Sequence, residues 1–498
     1  MSVGLGLQLS CRQPSPAAPA GAASESVANR AAPPDRADRL QRPDRTGGVR
    51  AGAADSKPQP QPRPLRRCFR EDSAQSPPRS LSVLLAQSAD RFEQGLRLAN
   101  QAVATASAAL TTGAASGAPA GAADPSPSTL QFEAALACAE EALRVDGRSV
   151  EALHNRALAL QELGQLELAR DAFTRALAIE PDDPETLAGA ADLYINRLPP
   201  SSELSEIGVE YAHRGSQRLR RGASATDPAK DPPKAKTKER DPGERALLGR
   251  LLLLEAQGLN DLGRPQEALQ RLDAAIAASD SVQARYERAM ALLDLCRFSD
   301  ARRAFSEVVQ REPDDAWAHY NLGLTLEMLG QPAAADKELA RAQKLAPRDF
   351  PELLPVSPEQ FRALVDKEVQ ALTPEQRADL RRVSLETADL PELGDLTAED
   401  PPLSPTILGL FRGLPLPAEP APGSEAGKRH GTDGQAARAG TKPEPDCEPR
   451  AIVLYRKNLL RAVREKSELI EQIRTTLLHE LGHLRGEDDA ELRARGLE

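Results

Sequence analysis

A repeat of 33 to 34 residues constrains the fold of this chain more than any other feature of its sequence. Equivalent positions in successive copies are occupied by Gly263, Cys296 and Gly330, spaced 33 and 34 residues apart, and by Pro313 and Pro347, spaced 34 apart. Each unit reads as two helices, with small residues where the helices cross closely and a proline where the second helix must end. Such a period is typical of an α-solenoid, in which each unit buries its apolar face by stacking on its neighbours.

The clearest copy covers 150–183, with Ala157 in the first helix, Gly164 at the turn, and packing positions at Ala169, Phe173 and Ala176. With these residues the region resembles the tetratricopeptide repeat (TPR) family, over about 150–217 and 249–349. The resemblance includes a decayed copy from Pro184, three tandem copies from Gly249, and the second helix of an interrupted copy at Ala134–Val145. Cys296 departs from the family pattern because it stands where the turn usually has glycine.

The TPR resemblance implies a solenoid whose concave face binds peptides or partner proteins. A rigid spacer with no ligand is the alternative, since no single residue marks a ligand-binding face.

Stretches rich in Pro, Gly, Ala and Ser divide the chain into segments. The predicted organisation is a disordered Pro-, Ala- and Arg-rich tail at 1–79, a helical segment at 80–112, a linker at 113–129, TPR-like repeats at 130–221, a charged linker at 222–244, three tandem TPR repeats at 245–349, and a C-terminal domain at 350–498 with a low-complexity insert at about 417–448. The fold class is therefore mainly α, a TPR-type solenoid followed by a small α+β domain.

The charge of the chain argues against a general nucleic-acid binder, because 64 Lys and Arg stand against 74 Asp and Glu. Residues 1–70 are different, with 12 Lys and Arg and 5 Asp and Glu. The charges of this basic tail either keep it solvated as an unfolded segment or bind an acidic partner.

The five cysteines lack C-x-x-C spacing, which argues against both a disulfide framework and a thiolate zinc site. A reducing compartment and a cytoplasmic location are therefore expected. No apolar run is long enough to span a membrane. The apolar residues Met1–Ser10 before Cys11 leave a lipid anchor at Cys11 as the alternative location.

After Phe350 the helical repeat gives way to mixed signals. Helices are predicted at Pro358–Leu372 and Pro374–Arg382, short strands at Val383–Glu386, Ile407–Phe411 and Ala451–Tyr455, and a last helix from an N-cap at Ser467 to about Leu484.

The last helix carries the sequence His479-Glu480-Leu481-Gly482-His483. His479 and His483 lie one turn apart on one face, while leucines and isoleucines occupy the opposite face. Two imidazoles in this arrangement can bind one Zn²⁺, and Glu480 can act as general base towards a zinc-bound water.

A third ligand is expected shortly after the helix, because Gly486 can adopt the left-handed conformation that ends a helix and reverses the chain. The spacing H-E-x-x-H-x-x-G-x-x-D favours Asp489, with Asp488 and Glu487 as alternatives.

A second resemblance is carried by five segments, the last of which contains this motif: Ser357–Val365, Val383–Glu392, Leu408–Gly413, Ile452–Arg456 and Leu477–Leu492. With them the chain resembles the bacterial metallopeptidase family with a minimal zincin-like domain, over about 356–416 and 449–498. The resemblance implies a compact α+β domain whose edge strand holds extended substrate. Ala451–Tyr455 is the candidate strand, with Tyr455 or Arg456 near the oxyanion.

The sequence thus predicts a zinc-dependent metallopeptidase that hydrolyses peptide bonds, with TPR repeats that dock a protein partner or substrate. The alternative is a non-enzymatic TPR scaffold whose zinc domain is structural or vestigial.

Overall fold

The computed structural model describes residues 80–111, 126–224, 241–398, 400–416 and 450–497. The predicted tail at 1–79, most of both linkers, and the insert at 417–448 lie outside the described residues. The described residues form two compact units. The first contains the described residues up to Phe350 together with 400–402, and the second contains the remaining described residues from Pro351 onwards. In neither unit is a described helix long and apolar enough to cross a membrane.

The first unit is a series of helical hairpins, which confirms the predicted TPR-like solenoid. Its helices are α1 (Leu81–Thr111), α2 (Pro127–Val145), α3 (Val150–Glu162), α4 (Leu166–Ile179), α5 (Pro184–Asp192, continued by a π turn at Leu193–Arg197), α6 (Ser202–Ser224), α7 (Pro242–Asp261), α8 (Pro265–Ala278), α9 (Val282–Asp294), α10 (Phe298–Arg311), α11 (Ala316–Met328) and α12 (Pro332–Leu345). The segment expected to be half of an interrupted copy belongs to α2, which packs on α1 as a hairpin of its own.

The turns between paired helices explain why glycine recurs at one position of the repeat. Gly164, Gly263 and Gly330 have φ of 71°, 66° and 67°, a left-handed conformation that glycine adopts without steric cost. Cys296 occupies the same turn with φ 54° and carries the strain of a side chain there, about 1–2 kcal/mol.

Cys138 on α2 is buried. The cytoplasmic location stays a prediction.

The second unit places a small sheet against helices. Its elements are α13 (Pro358–Ala371), α14 (Pro374–Leu380), β1 (Ser384–Ala388), α15 (Leu393–Leu396), β2 (Gly409–Arg412), β3 (Ala451–Tyr455), α16 (Arg456–Arg461), α17 (Lys466–Arg485) and α18 (Asp489–Ala494). The strand order is β1-β3-β2, with β1 parallel and β2 antiparallel to β3.

Two expectations about these elements are wrong. β3 is the central strand and is buried at every residue, so Ala451–Tyr455 is not an edge strand. The last helix starts at Lys466 and is capped by Glu465, whose capping box with Glu468 satisfies the first-turn amides in place of Ser467.

The core of the second unit lies between the sheet and α17. Leu469, Ile473 and Leu477 of α17 are fully buried and cluster with Ile452 and Leu454 of β3. Because this apolar face is fixed against the sheet, the histidine face of α17 is directed away from the core.

Candidate metal centre

Three side chains from two consecutive helices converge at the C-terminal end of α17. His479 Nε2 and His483 Nε2 are 3.0 Å apart, and Asp489 Oδ1 lies 3.6 Å from the first and 3.2 Å from the second. Asp489 is the first residue of α18, and its carboxyl group is largely buried.

The outer ring nitrogens establish which atoms face inwards. His479 Nδ1 donates a hydrogen bond to the Leu497 carbonyl at 2.7 Å, and His483 Nδ1 donates to the Glu487 carbonyl at 3.0 Å. Because a carbonyl can only accept, each neutral imidazole has its hydrogen on Nδ1 and a lone pair on Nε2. Two nitrogen lone pairs and a carboxylate therefore meet, and neither buried oxygen of Asp489 has a hydrogen-bond partner among the described residues.

The distances match those of a tetrahedral zinc site. Bonds of about 2.0–2.1 Å at tetrahedral angles place ligand atoms about 3.3 Å from one another, close to the separations above. Neutral imidazole nitrogens and a carboxylate are also the donors that Zn²⁺ accepts. The three residues thus fit this metal in geometry and in chemistry.

The same arrangement shifts the titration of all three groups. Burial lowers the pKa of His479 and His483, but the Asp489 carboxylate outweighs this effect and raises both above the usual value. Burial raises the pKa of Asp489, but the attraction of the two neighbouring histidine rings outweighs it and holds that pKa well below its usual range. The site therefore favours positive charge beside the carboxylate, which a proton or a metal cation can supply.

A tight turn brings Asp489 to the histidines. Gly486 ends α17 with φ 88°, and the Glu487 N–H donates to the Gly482 carbonyl at 3.0 Å, so the chain reverses within three residues. The two alternative ligands are engaged elsewhere. The Asp488 side chain caps α18, and the Glu487 carboxylate pairs with Arg495.

Gly482, the fourth residue of the motif, allows α18 to approach α17. A Cβ at this position would overlap the Leu492 Cδ2 methyl and lie 3.3 Å from Leu492 Cδ1. Leu492 is fully buried and anchors the short helix that begins with Asp489. This role of Gly482 was not predicted from the sequence, although a glycine inside a helix is a recognised sign of close packing.

Glu480 points from the same helix towards β2. It is 6% exposed, and the Phe411 N–H donates a hydrogen bond to its carboxylate. A Cβ on Gly409 would lie 2.7 Å from Thr476 Cγ2 and 3.0 Å from Glu480 Oε1, so only glycine fits there without displacement. Desolvation raises the Glu480 pKa. Gly409 and Phe411 were also missed, although a glycine within an apolar strand is a recognised sign of close approach.

The polar groups of the suggested oxyanion residues are engaged in other contacts. Tyr455 is fully buried, burial raises the pKa of its hydroxyl, and that hydroxyl donates to Asp395 Oδ2 at 3.4 Å. Arg456 Nε binds Asp389 Oδ1 at 2.7 Å, and its NH1 binds the Val356 carbonyl at 2.9 Å. Their polar groups are occupied by these contacts, so we assign them no role at the oxyanion.

Comparisons with protein families agree with both resemblances. A model described as zincin-like metallopeptidase matches residues 428–497, and two tetratricopeptide repeat models match residues 150–183 and 286–350. The chain therefore contains TPR repeats, which are protein-interaction modules, followed by a zincin-like metallopeptidase segment that includes the motif helix. The search of curated proteins gives no match.

Solved structures similar to this chain include three TPR-containing or pilus-related proteins. YrrB, described as a TPR protein with an unusual peptide-binding site, is 20% identical with a TM-score of 0.30, covering 42% of this chain and 93% of that one. The protein pilF of Pseudomonas aeruginosa is 13% identical with a TM-score of 0.36, covering 57% and 98%. PilW, described as a widely conserved type IV pilus biogenesis factor, is 20% identical with a TM-score of 0.36, covering 47% and 91%.

Proposed function

We propose that this protein is a zinc-dependent metallopeptidase that hydrolyses peptide bonds, and that its TPR repeats dock a protein partner or substrate. The observation that carries the proposal is the convergence of three electron-pair donors, His479 Nε2, His483 Nε2 and Asp489 Oδ1, within 3.6 Å of one another. Three protein ligands leave a fourth tetrahedral position open, which is the pattern of catalytic zinc. In this assignment the repeats end at 349 and the peptidase domain covers 350–498.

Glu480 is the residue to which we assign the proton transfers. When bound, Zn²⁺ supplies Lewis acidity and brings the pKa of a water ligand towards about 7. The Glu480 carboxylate accepts a proton from the attacking water and later donates it to the nitrogen of the leaving amine. The Phe411 N–H, by binding that carboxylate, fixes its direction for both transfers.

We assign substrate binding to β2 in place of β3. Because the Tyr455 N–H donates to the Leu408 carbonyl at 2.9 Å, antiparallel alternation directs the N–H and carbonyl of Gly409 and the carbonyl of Phe411 away from β3, while the Phe411 N–H is bound by Glu480. An extended peptide can add to such an outer strand through main-chain hydrogen bonds. This edge is also the one beside Glu480, which supports its use by a peptide undergoing hydrolysis.

A non-enzymatic TPR scaffold with a structural or vestigial zinc site is the second candidate. The observation that favours it is the enclosure of Glu480, which is 6% exposed beneath Gly409. A catalytic base must reach a water molecule, so this candidate predicts bound zinc without turnover.

Cleavage of a mixed peptide library separates the two candidates. Zinc-loaded wild type is compared with Glu480→Gln, which keeps the side-chain shape and removes the base. We expect the wild type to cleave the library. The cleavage rate of the variant should be lower by a factor of about 100 or more at equal zinc content. Equal zinc with no difference in cleavage would reject the peptidase and support the scaffold.

A further inference from the structure

The two helices that carry the metal ligands end in the same kind of turn. At the end of α17 the Gly486 N–H donates to the His483 carbonyl at 3.0 Å. The next amide, that of Glu487, donates to the Gly482 carbonyl at 3.0 Å. With Gly486 at φ 88°, these two bonds form a Schellman motif, which satisfies carbonyls that have no partner within the helix.

The short helix α18 ends in an equivalent turn. The Gly496 N–H donates to the Arg493 carbonyl at 2.9 Å. The Leu497 N–H donates to the Leu492 carbonyl at 3.1 Å. Gly496 has φ 73°, and a Cβ there would meet no atom within 4 Å, so glycine is favoured by the backbone conformation alone. Each residue of this turn follows its counterpart at the end of α17 by ten positions.

In both turns the residue after the glycine accepts a hydrogen bond from a histidine of the metal centre. The Glu487 carbonyl accepts from His483 Nδ1 at 3.0 Å. The Leu497 carbonyl accepts from His479 Nδ1 at 2.7 Å, across 18 residues of sequence. A ring held in this way keeps its lone pair on Nε2, the nitrogen that faces Asp489. The second turn therefore does for His479 what the first turn does for His483.

Two contacts join the turns to one another. Leu492, whose carbonyl closes the second turn, is fully buried and packs its side chain on Gly482, whose carbonyl closes the first. Arg495 NH1 binds the Glu487 carboxylate from one turn to the other. Because the second turn is fixed at both points, the Leu497 carbonyl has a defined direction.

We propose that Gly496 and Leu497 are positioning residues for the zinc ligand His479. Gly496 supplies the left-handed backbone, the Leu497 carbonyl holds Nδ1, and the ring then presents Nε2 to the metal centre. Without this bond the ring rotates and carries its hydrogen on either nitrogen, so the metal loses a preformed ligand. The alternative is a turn that serves only to end α18, which predicts no effect on the ring. The inference rests on the metal-binding part of the proposed function.

Zinc affinity of full-length variants gives the first test. Valine is β-branched and strongly disfavoured at positive φ, whereas asparagine tolerates this conformation. Gly330→Val is the matched control, because Gly330 is also exposed, has φ 67° and has no atom within 4 Å of a Cβ. We expect Gly496→Val to bind zinc more weakly by a factor of about 10 or more. Gly496→Asn and Gly330→Val should stay within about threefold of wild type.

Two results of this titration would overturn the inference. One is wild-type affinity in Gly496→Val, and the other is an equal loss in Gly496→Val and Gly330→Val. Library cleavage, measured on the same proteins, reports on the peptidase alone. Wild type that binds no zinc would overturn the metal centre and this inference together.

Ring N–H signals in nuclear magnetic resonance separate a positioning role from a general loss of structure. The proteins are labelled with nitrogen-15 histidine and saturated with zinc. In wild type we expect a slowly exchanging Nδ1–H signal from both His479 and His483, because both protons are held by carbonyls. In Gly496→Val the His479 signal should be lost through exchange with water while the His483 signal remains, and Gly496→Asn should restore it. Retention of both signals in Gly496→Val, or equal loss of both, would contradict the proposed role of the second turn.

Discussion

Replacement of Gly482 by Ala tests whether the packing of α18 holds Asp489 at the histidines. In a helix interior Ala is favoured over Gly by about 1 kcal/mol. The new methyl would, however, overlap Leu492 Cδ2, and Leu492 is fully enclosed and cannot rotate away. Overpacking of this kind costs about 1–3 kcal/mol. The strain is relieved most easily by displacement of α18, a short helix of 6 residues, and Asp489 moves with it.

We therefore expect Gly482→Ala to change the free energy of unfolding of the zinc-free protein little, by about 0–2 kcal/mol. Zinc affinity should fall about 10- to 100-fold, which is typical for loss of a contact that orients a ligand. The assay is competition for zinc with a chromophoric chelator at pH 7.5, together with urea unfolding of the metal-free proteins.

A matched control is available in the same unit. Gly394→Ala adds a methyl where no atom lies within 4 Å, and zinc affinity should stay at the wild-type value. Leu492→Ala removes the overlapping atoms, so its effect on zinc affinity should not add to that of Gly482→Ala. Wild-type zinc affinity in Gly482→Ala, or simple additivity in the double variant, would refute the reasoning.

Three further predictions concern other sites. Gly409→Ala should lower library cleavage at least tenfold at unchanged zinc content, because the methyl would lie 3.0 Å from Glu480 Oε1; unchanged cleavage would exclude this role. Burial lowers the pKa of His154 to about 4, below its unfolded value of 6.5. The free energy of unfolding should therefore be lower at pH 5 than at pH 8 by about 2 kcal/mol, because protonation of His154 at the lower pH favours the unfolded state. In urea unfolding His154→Gln should lose this part of the pH dependence, and an unaltered profile would contradict the assignment. Gly330→Ala should lower the free energy of unfolding by about 1 kcal/mol through its positive φ alone, since no atom lies within 4 Å, and a neutral result in thermal unfolding would count against the strain argument.

The solenoid was predictable because its signals are periodic and local. A turn glycine every 33 or 34 residues requires a left-handed backbone at that phase, and the structure has it even at Cys296. The motif helix was predictable for the same reason, since apolar residues at every fourth position define its buried face. Its first residue was misjudged because Glu465 competes with Ser467 as N-cap, and the choice depends on the reciprocal bond from Glu468.

The order of the strands could not be predicted from the sequence. Ala451–Tyr455 is short and apolar, which fits an edge strand or a central one equally well, and only its pairing with both β1 and β2 decides. The contacts of Tyr455 with Asp395 and of Arg456 with Asp389 could not be predicted from the sequence either. Gly409 contacts residues far away in the sequence, and Gly482 contacts a residue beyond the next turn. A glycine at such a position indicates that another segment approaches closely, but the sequence does not show which segment it is.

Zinc affinity across the three acidic candidates tests the central claim most directly. Metal-free full-length protein is titrated with zinc for wild type, Asp489→Asn, Asp488→Asn and Glu487→Gln, with His479→Ala as the reference for a lost ligand. We expect one zinc per chain in wild type and a loss of at least 100-fold in Asp489→Asn. Asp488→Asn and Glu487→Gln should retain affinity within about tenfold of wild type, because their carboxylates bind elsewhere. Wild-type affinity in Asp489→Asn, or a larger loss in either neighbour, would contradict the proposed centre.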